Sequence, residues 1–371
     1  MAKFLFVVQG EGRGHMTQAI TMRDMLTASG NEVCSVMVGA SSNREIPGFF
    51  YDKIAAPVTT FASPNFVVDG SNKSIKILPS VVKNLGRLST FRESIKLIRQ
   101  QVKQHRPDVI INFYDPLIGL YYLFNRPRIP MICVGHQYLM PHPAFPFPKG
   151  HTADRISLKF YTNLTAFGAS KRLALSFYEL PSHKSITVIP PLLRKEVYSA
   201  TVSEGDYFLV YLVNSGYSEE IIRWNEKNPH QQLHCFWDKK DAPEEFRHSS
   251  TLTFHRLGDQ KFLNLMAGCK AFISTAGFES ICEAMYFGKP VFMVPVGGHF
   301  EQLCNAIDAH MAGAGIYDTE FSIDKLVQYL PHHTASPDIF RNWANTLPNR
   351  FLGEIQSVTE HSSNKVAYAN A

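Results

Sequence analysis

The chain has 371 residues, of which 45% are hydrophobic and 19% are charged. This length exceeds one ordinary hydrophobic core, so two domains are expected, and the composition excludes a disordered chain. The formal charge of +5 is mild for this length, and without a dense Lys/Arg block or a nucleic-acid motif we expect no nucleic-acid partner.

The cysteines and the first residues suggest a compartment. The six cysteines are scattered, without CxxC or zinc spacing, which predicts buried free thiols in a reducing environment. The apolar run near the start is too short for the core of a signal peptide, and no run of about 18 apolar residues predicts a membrane span. We therefore expect a cytoplasmic protein, or one peripheral to the inner face of a membrane.

The chain opens with the pattern of a β-turn-α-β unit. Phe4–Val8 is a continuous apolar run of buried parallel-strand type, a helix follows over about Met16–Ser29, and Val33–Val38 is the next strand. The intervening turn contains Gly10, Gly12 and Gly14, followed by His15. This spacing is not G-x-G-x-x-G, and no acidic residue ends the second strand, so the pattern does not favour a nicotinamide cofactor.

Further strands and helices alternate up to about residue 190. Ser41–Lys76 is predicted to be irregular, and Leu78–Gln104 helical, as one helix or as two that meet near Gly86. The predicted strands are Val109–Phe113, Met131–Val134, Leu173–Phe177 and Ile186–Ile189. The aromatic loops at Phe49–Phe66 and Pro141–Pro148 are expected either to contact a glycan or lipid or to form a packed lid.

The α/β pattern restarts after a linker that begins at Pro190. We predict an amino-terminal Rossmann-like domain over 1–195 and a second such domain over 205–335. Helices over 336–360 are expected to pack back on the first domain, and the polar tail 361–371 is expected to be disordered. Asn214-Ser215-Gly216 would form the first turn of the second domain.

The stretch Ala271–Ala306 has the clearest ligand-binding pattern. A short buried strand is followed by the turn Thr275-Ala276-Gly277 and by an amphipathic helix that should end at Gly288. The amide groups and the positive dipole end of a helix amino terminus attract a diphosphate, although a tight turn without a ligand would have the same sequence. Glu283 lies further along this helix, either as a ribose-binding carboxylate or as a solvated residue.

The pattern SxAGxxxxxEAxxxGKPxxxxPxxxxxEQxxNA resembles the donor-binding signature of GT-B glycosyltransferases, especially family 28, and more distantly that of UDP-glucuronosyltransferases. The resemblance implies two facing Rossmann-like domains with a cleft between them. It places Gly277 with the neighbouring Thr275 and Ala276 at the nucleotide diphosphate and Glu283 at the ribose hydroxyls. Glu301 and Gln302 would bind hydroxyls of the donor sugar. The chain departs from the peptidoglycan enzymes at Thr275, where those commonly have Arg.

Two residues of the first domain are candidates for catalysis. The resemblance places His15 on the acceptor side, where imidazole could accept the proton of an attacking hydroxyl; it could instead cap the turn or bind a phosphate. Asp115 follows a strand and could orient the acceptor or His15, but an Asp before Pro is also an ordinary helix N-cap. His136 is predicted to be structural, and Phe254–Leu257 to form a slot for the nucleobase.

These interpretations predict an inverting transferase that moves a sugar from a nucleotide sugar, UDP-sugar in the first instance, to a hydroxyl acceptor. A glycan, a lipid-linked molecule or a small molecule would serve as acceptor, and peripheral membrane contact is compatible with this activity. Neither a metal nor a separate cofactor is expected, since Asp-x-Asp is absent. The alternatives are a non-transferring GT-B enzyme such as a UDP-N-acetylglucosamine 2-epimerase, and a non-catalytic sugar-nucleotide-binding protein.

Overall fold

The computed structural model describes residues 1–41, 45–64, 67–68, 75–76, 86–212, 217–237, 239, 242–334 and 336–369. The predicted turn at 214–216 and the first part of the helical stretch from Leu78 lie outside these ranges. The strands are β1 Lys3–Gln9, β2 Glu32–Ala40, β3 Val58–Ala62, β4 Val67–Val68, β5 Ile75–Lys76, β6 Val109–Phe113, β7 Met131–Gly135, β8 Lys171–Leu175, β9 Ile186–Ile189, β10 Tyr207–Leu212, β11 Gln232–Trp237, β12 Glu245–Arg247, β13 Leu252–Arg256, β14 Ala271–Ser274, β15 Val291–Met293 and β16 Gly315–Tyr317.

Among the residues just given, 3₁₀ turns span His136–Leu139 and Leu330–His332. The helices are α1 Arg13–Ala28, α2 Gly48–Ile54, α3 Leu88–His105, α4 Pro116–Asn125, α5 Thr152–Thr165, α6 Lys195–Ser199, α7 Ser218–Lys227, α8 Asp259–Gly268, α9 Phe278–Phe287, α10 Phe300–Met311, α11 Ile323–Tyr329, α12 Pro337–Asn345 and α13 Leu347–Ala369. In the part of the chain that is described, no helix is both long and apolar enough to cross a membrane.

The first half of the chain forms a seven-stranded parallel sheet in the order β3-β2-β1-β6-β7-β8-β9. Its central strand β1 is wholly buried over Phe4–Val8, because helices cover both faces of the sheet. The strand order reverses between β1 and β6. The loops that follow these two strands therefore diverge and leave a crevice at the sheet edge.

The second half repeats this design in the order β12-β13-β11-β10-β14-β15-β16, in which only β12 is antiparallel to its neighbour. Its order reverses between β10 and β14, so the turn after β14 opens on the second crevice. The predicted α/β class and the pair of Rossmann-like sheets are confirmed.

The last helices return to the first half of the molecule. Trp343 of α12 donates its indole N–H to the carbonyl oxygen of Ser176 at 2.9 Å. Lys171 of β8 pairs with Glu354 of α13 and donates to the hydroxyl of Ser357 at 2.9 Å. The backbone of α13 is helical up to Ala369, whereas the sequence predicts disorder from His361; this polar segment contains neither Gly nor Pro to end a helix.

Some local predictions differ from the structure. The stretch expected to be irregular from Ser41 contains α2 and β3, which adds an edge strand to the first sheet. Helix α1 starts inside the glycine loop, at Arg13, so Gly14 and His15 belong to its first turn. For the aromatic loops the packed alternative fits the structure better, because Phe50, Phe61 and Phe145 are all buried.

Helices α4 and α5 pack side by side on one face of the first sheet at a glycine. A methyl group built on Gly119 of α4 would lie 1.9 Å from the carbonyl oxygen of Leu164 in α5. At the far end, a methyl group on Gly168 would lie 2.8 Å from the Tyr122 ring. The two helices therefore run in the same direction with almost no space between them.

We expect Gly119→Ala to lower the free energy of unfolding by about 2 kcal/mol, because the added methyl group forces the two backbones apart. Gly353→Ala is the matched control, since nothing lies within 4 Å of a methyl group at that helical position. The control should raise stability by about 0.5 kcal/mol through helix propensity. Chemical denaturation measures both; equal stability of the two variants would contradict the packing argument.

Candidate functional site

The two crevices face each other, and a left-handed residue marks a turn in each of them. Tyr114 has φ = 66° and immediately precedes Asp115, the N-cap of α4. Ala276 has φ = 61° and immediately precedes Gly277, the N-cap of α9. Side-chain-bearing residues adopt this conformation at an energetic cost, and such strain concentrates at functional sites.

Two hydroxyl groups near the amino terminus of α9 lack a partner in the part of the chain that the structure describes. Gly277 provides no side chain to cap the first amides of the helix. Within the described residues, the buried hydroxyls of Ser274 and Thr275 have no hydrogen-bond partner. Asn305 holds the turn by donating to the carbonyl oxygen of Ala276 at 3.2 Å. Unpaired donors at a helix amino terminus favour an anion as ligand.

This helix start meets the start of α1 from the other domain. A methyl group on Gly14 would lie 2.2 Å from Oε2 of Glu279, the second residue of α9. Gln18 of α1 donates its amide N–H to the other oxygen of the same carboxyl group. Burial raises the pKa of Glu279 to about 7, and the charges of Glu283 and Glu301 act in the same direction.

His15 lies beside this contact with its ring 8% exposed. Its Nδ1 is 3.3 Å from Oε1 of Gln18, and its Nε2 is 3.4 Å from Nε2 of Gln137. The Gln18 oxygen accepts and the Gln137 amide donates, so the arrangement fits a neutral imidazole protonated at Nδ1. Burial lowers the pKa of His15 to about 4, which keeps the ring neutral and leaves Nε2 as a proton acceptor.

A second polar link joins the domains through Glu301, the second residue of α10. Gln137 donates to Oε1 of Glu301 at 2.9 Å. Burial raises the pKa of this carboxyl group. The side chain of Gln302 instead accepts from the backbone N–H of Val296 at 2.8 Å and so fixes the preceding loop. The structure thus brings Glu301 to the His15 side of the cleft, while Gln302 supports the loop.

Asp115 is buried and its carboxyl group is used within the first domain. One oxygen accepts from the amide of Leu117 at 2.8 Å, as the N-cap alternative requires, and the other accepts from the Ser63 hydroxyl at 2.7 Å. Burial raises the pKa of Asp115 to about 7. His15 contacts this turn through its ring, which stacks on Tyr114 at a centroid distance of 5.9 Å.

Glu283 is also buried, 3% exposed, and it pairs with Arg194. Arg194 Nε lies 2.6 Å from one carboxylate oxygen and Nη2 lies 2.8 Å from the other. Arg194 precedes α6 in the linker, so a bidentate ion pair connects the linker to α9. No sequence motif singles out Arg194.

His136 and Asp308 form a structural contact between the domains. The His136 ring stacks on Phe278 at 4.2 Å between centroids, and its Nδ1 lies 2.8 Å from the Leu175 carbonyl oxygen. Its Nε2 is 3.5 Å from Asp308, which accepts from the Tyr178 hydroxyl at 2.7 Å. These side chains fill the interface and agree with the structural role expected for His136.

The predicted nucleobase slot is only partly accessible. Phe254 is wholly buried and stacks on Trp237 at 4.3 Å between centroids, so it belongs to the core of the second domain. Of the four predicted residues, Arg256 is exposed and Leu257 is partly exposed. These two, at the end of β13, are accessible to a nucleobase. Among the described residues, no group of three or more His, Cys, Asp or Glu side chains could hold a metal ion.

Two facing Rossmann-like domains with a cleft between them form the fold of the GT-B glycosyltransferases. Solved structures share this fold across nearly the whole chain. A UGT2 of Phytolacca americana, complexed with UDP-2fluoro-glucose and pterostilbene, has a TM-score of 0.64 at 10% identity and covers 97% of this chain and 100% of its own. The calicheamicin glycosyltransferase has a TM-score of 0.61 at 14% identity, with 96% and 98% covered.

The family follows from the sequence comparison. The model described as glycosyl transferase family 1 matches residues 2–332, and the chain therefore belongs to that family of enzymes. A protein of Methanosarcina acetivorans described as an uncharacterized glycosyltransferase is 24% identical over 341 residues, which cover 84% of this chain and 82% of that protein. The likeness to family 28 remains a resemblance in the donor-side motif.

We expect Arg194→Met to lower the free energy of unfolding by about 3 kcal/mol, because it leaves the Glu283 carboxylate buried without its partner. Arg223→Met is the matched control. Arg223 pairs with Glu219 at 3.0 Å on an exposed helix face, where such a pair contributes about 0.5 kcal/mol or less. Denaturant titration compares them, and a loss as small as that of the control would refute a structural role for the buried pair.

Proposed function

We propose that the protein is an inverting glycosyltransferase that transfers a sugar from a UDP-sugar to a hydroxyl group of its acceptor. One observation carries the proposal: the uncapped amino terminus of α9, with the unpaired Thr275 hydroxyl, lies across the cleft from a neutral His15. The helix terminus can hold the leaving diphosphate, and His15 can accept a proton. Direct displacement at an anomeric carbon needs both functions.

His15 would act as the general base through Nε2. As the acceptor oxygen attacks the anomeric carbon, its proton moves to Nε2, and the bond from that carbon to the diphosphate oxygen breaks with its electron pair. Attack from the side opposite to the leaving group inverts the configuration. Gln18 holds the Nδ1–H and so fixes the tautomer that presents Nε2. Gln137, now 3.4 Å from Nε2, would give way to the acceptor hydroxyl.

The donor would lie along α9. The amides after Gly277 and the Thr275 hydroxyl would bind the diphosphate, and the positive end of the helix dipole would stabilise the charge that develops on it. Glu301 lies on the same side of the cleft as His15. Its carboxylate would accept hydrogen bonds from hydroxyl groups of the sugar, which would replace the hydrogen bond from Gln137. No cofactor beyond the donor enters this scheme.

The proposed ribose site requires Arg194 to move. Glu283 is buried under its pair with Arg194, so ribose hydroxyls can reach its oxygens only when the guanidinium group moves aside. The segment that carries Arg194 has room to shift, since cavities of about 320 Å³ and 410 Å³ adjoin α6 and both are lined in part by Glu196. Nucleotide binding would therefore be coupled to a movement of the linker.

His15→Ala should lower turnover by about a hundredfold or more while nucleotide binding is retained, because the base is lost and the donor site is not. His332→Ala, at an exposed position of the second domain, is the matched control and should act as wild type. The donor is first chosen by thermal stabilisation with a panel of uridine, guanosine and thymidine sugars. Stabilisation by no uridine nucleotide would refute the UDP assignment, and full turnover of His15→Ala would refute the base.

Glu279 should make donor binding depend on pH. Its pKa of about 7 means that the carboxyl group is neutral below pH 7 and charged above it, where it repels the diphosphate. The dissociation constant of a UDP-sugar, whose diphosphate does not titrate in this range, should rise about fivefold between about pH 6 and 8. Glu279→Gln should abolish the rise and the control Glu226→Gln, on an exposed helix position, should keep it; calorimetric titration decides.

A further inference from the structure

Helix α5 exposes two large apolar side chains. Its inner side buries Thr162 and Thr165, which hydrogen-bond the hydroxyls of Tyr114 and Tyr138 at 2.8 Å and 3.0 Å, and packs Leu158 and Tyr161 partly buried against the core. On its other side Ile156 is 64% exposed and Phe160 is 70% exposed. The water-facing side of a helix normally carries polar residues, so two large apolar side chains one turn apart on this side of α5 indicate contact with something other than water.

The exposed apolar residues continue onto α4. Because α4 and α5 run side by side, the end of α4 adjoins the segment just after α5, where a methyl group on Gly168 would meet Tyr122. Phe124 is 71% exposed and Leu123 and Phe167 are each more than a third exposed at this junction. We call the outer surface of α3, α4 and α5 the helical face. Its apolar residues form a row from the cleft side of α5 to the end of α4.

The helical face is also strongly basic. Residues 86–106, 116–128 and 149–165 contain eleven Lys and Arg against two acidic residues, a net charge of +9. The whole chain is +5, so all the remaining residues together carry −4. The two acidic residues are locally paired, Glu93 with Lys96 and Asp154 with His151. Helix α3 buries Phe91, Ile98 and Val102 and therefore directs its basic residues outward.

We propose that the helical face docks on an anionic lipid bilayer, with Ile156, Phe160 and Phe124 entering the headgroup region and the basic residues contacting lipid phosphates. Apolar side chains beside a basic surface are what such a bilayer binds. A second copy of the chain would present the same positive charge and repel it. The proposal does not depend on the identity of the sugar donor.

Docking in this orientation brings the bilayer close to the acceptor side of the cleft. The loop before α5 reaches the second domain, where Phe147 stacks on Phe300 at 6.3 Å and His151 lies 5.4 Å from the same ring. Phe300 begins α10, the helix that carries Glu301. An acceptor embedded in lipid would therefore approach the reacting groups along α5.

The test is sedimentation of the full chain with vesicles of phosphatidylcholine alone and with about 30% phosphatidylglycerol, at low and at high salt. Binding should be at least about tenfold tighter to the anionic vesicles and should weaken in salt. The double variant Phe124→Ser/Phe160→Ser should lose about tenfold or more in affinity. The variant Arg92→Gln/Arg99→Gln/Lys103→Gln should lose the preference for anionic lipid.

Met311→Ser/Ile339→Ser is the matched control, because it removes two equally exposed apolar side chains from the second half of the molecule. It should bind vesicles as wild type does, and denaturant titration should show that all variants are folded. The proposal is overturned if wild type does not bind anionic vesicles at low salt, or if the control loses as much affinity as the phenylalanine variant. Tighter binding to a single-stranded oligonucleotide than to vesicles would overturn it as well.

Discussion

The first turns of two helices meet across the cleft, and this contact governs the chemistry of the site. The starts of α1 and α9 each carry partial positive charge from unpaired amides, and they come close enough for a methyl group at Gly14 to touch Glu279. Such ends repel unless an anion lies between them. In this structure the Glu279 carboxyl group lies there, and the proposed donor would bring a diphosphate to the same place. The neutral His15 adds no further positive charge.

Much of the fold could be predicted because parallel strands buried on both faces have an unmistakable sequence. Phe4–Val8 and Val109–Phe113 are uninterrupted apolar runs, and both became central strands beside the first switch point. The edge elements could not be predicted in this way. Strand β3 is only partly buried and β12 is exposed throughout, so neither has an apolar run to mark it. Their pairing with β2 and β13 uses backbone groups, which the side-chain pattern does not mark.

The site was predictable where one helix or turn determines it and unpredictable where two domains meet. The turn before Gly277 and the end of the helix at Gly288 follow from local backbone requirements, and Gly288 has φ = 73°. Gln18 and Arg194 matter because of contacts with residues more than eighty positions away, which no spacing reveals. Glu283 shows how far a motif can be used: the motif singles out this carboxylate, but it does not predict the ion pair with Arg194.

The return of the last helices has a consequence for the integrity of the molecule. The chain crosses between the two halves twice, at the linker before β10 and again where Trp343 and Lys171 fasten the terminal helices to the first sheet. The exposed stretch 201–204 could therefore be cut without separating the halves, because the second crossing would still hold them. Because α12 and α13 complete the cover of the first sheet, the amino-terminal half acquires that cover only after the ribosome has synthesised these two helices.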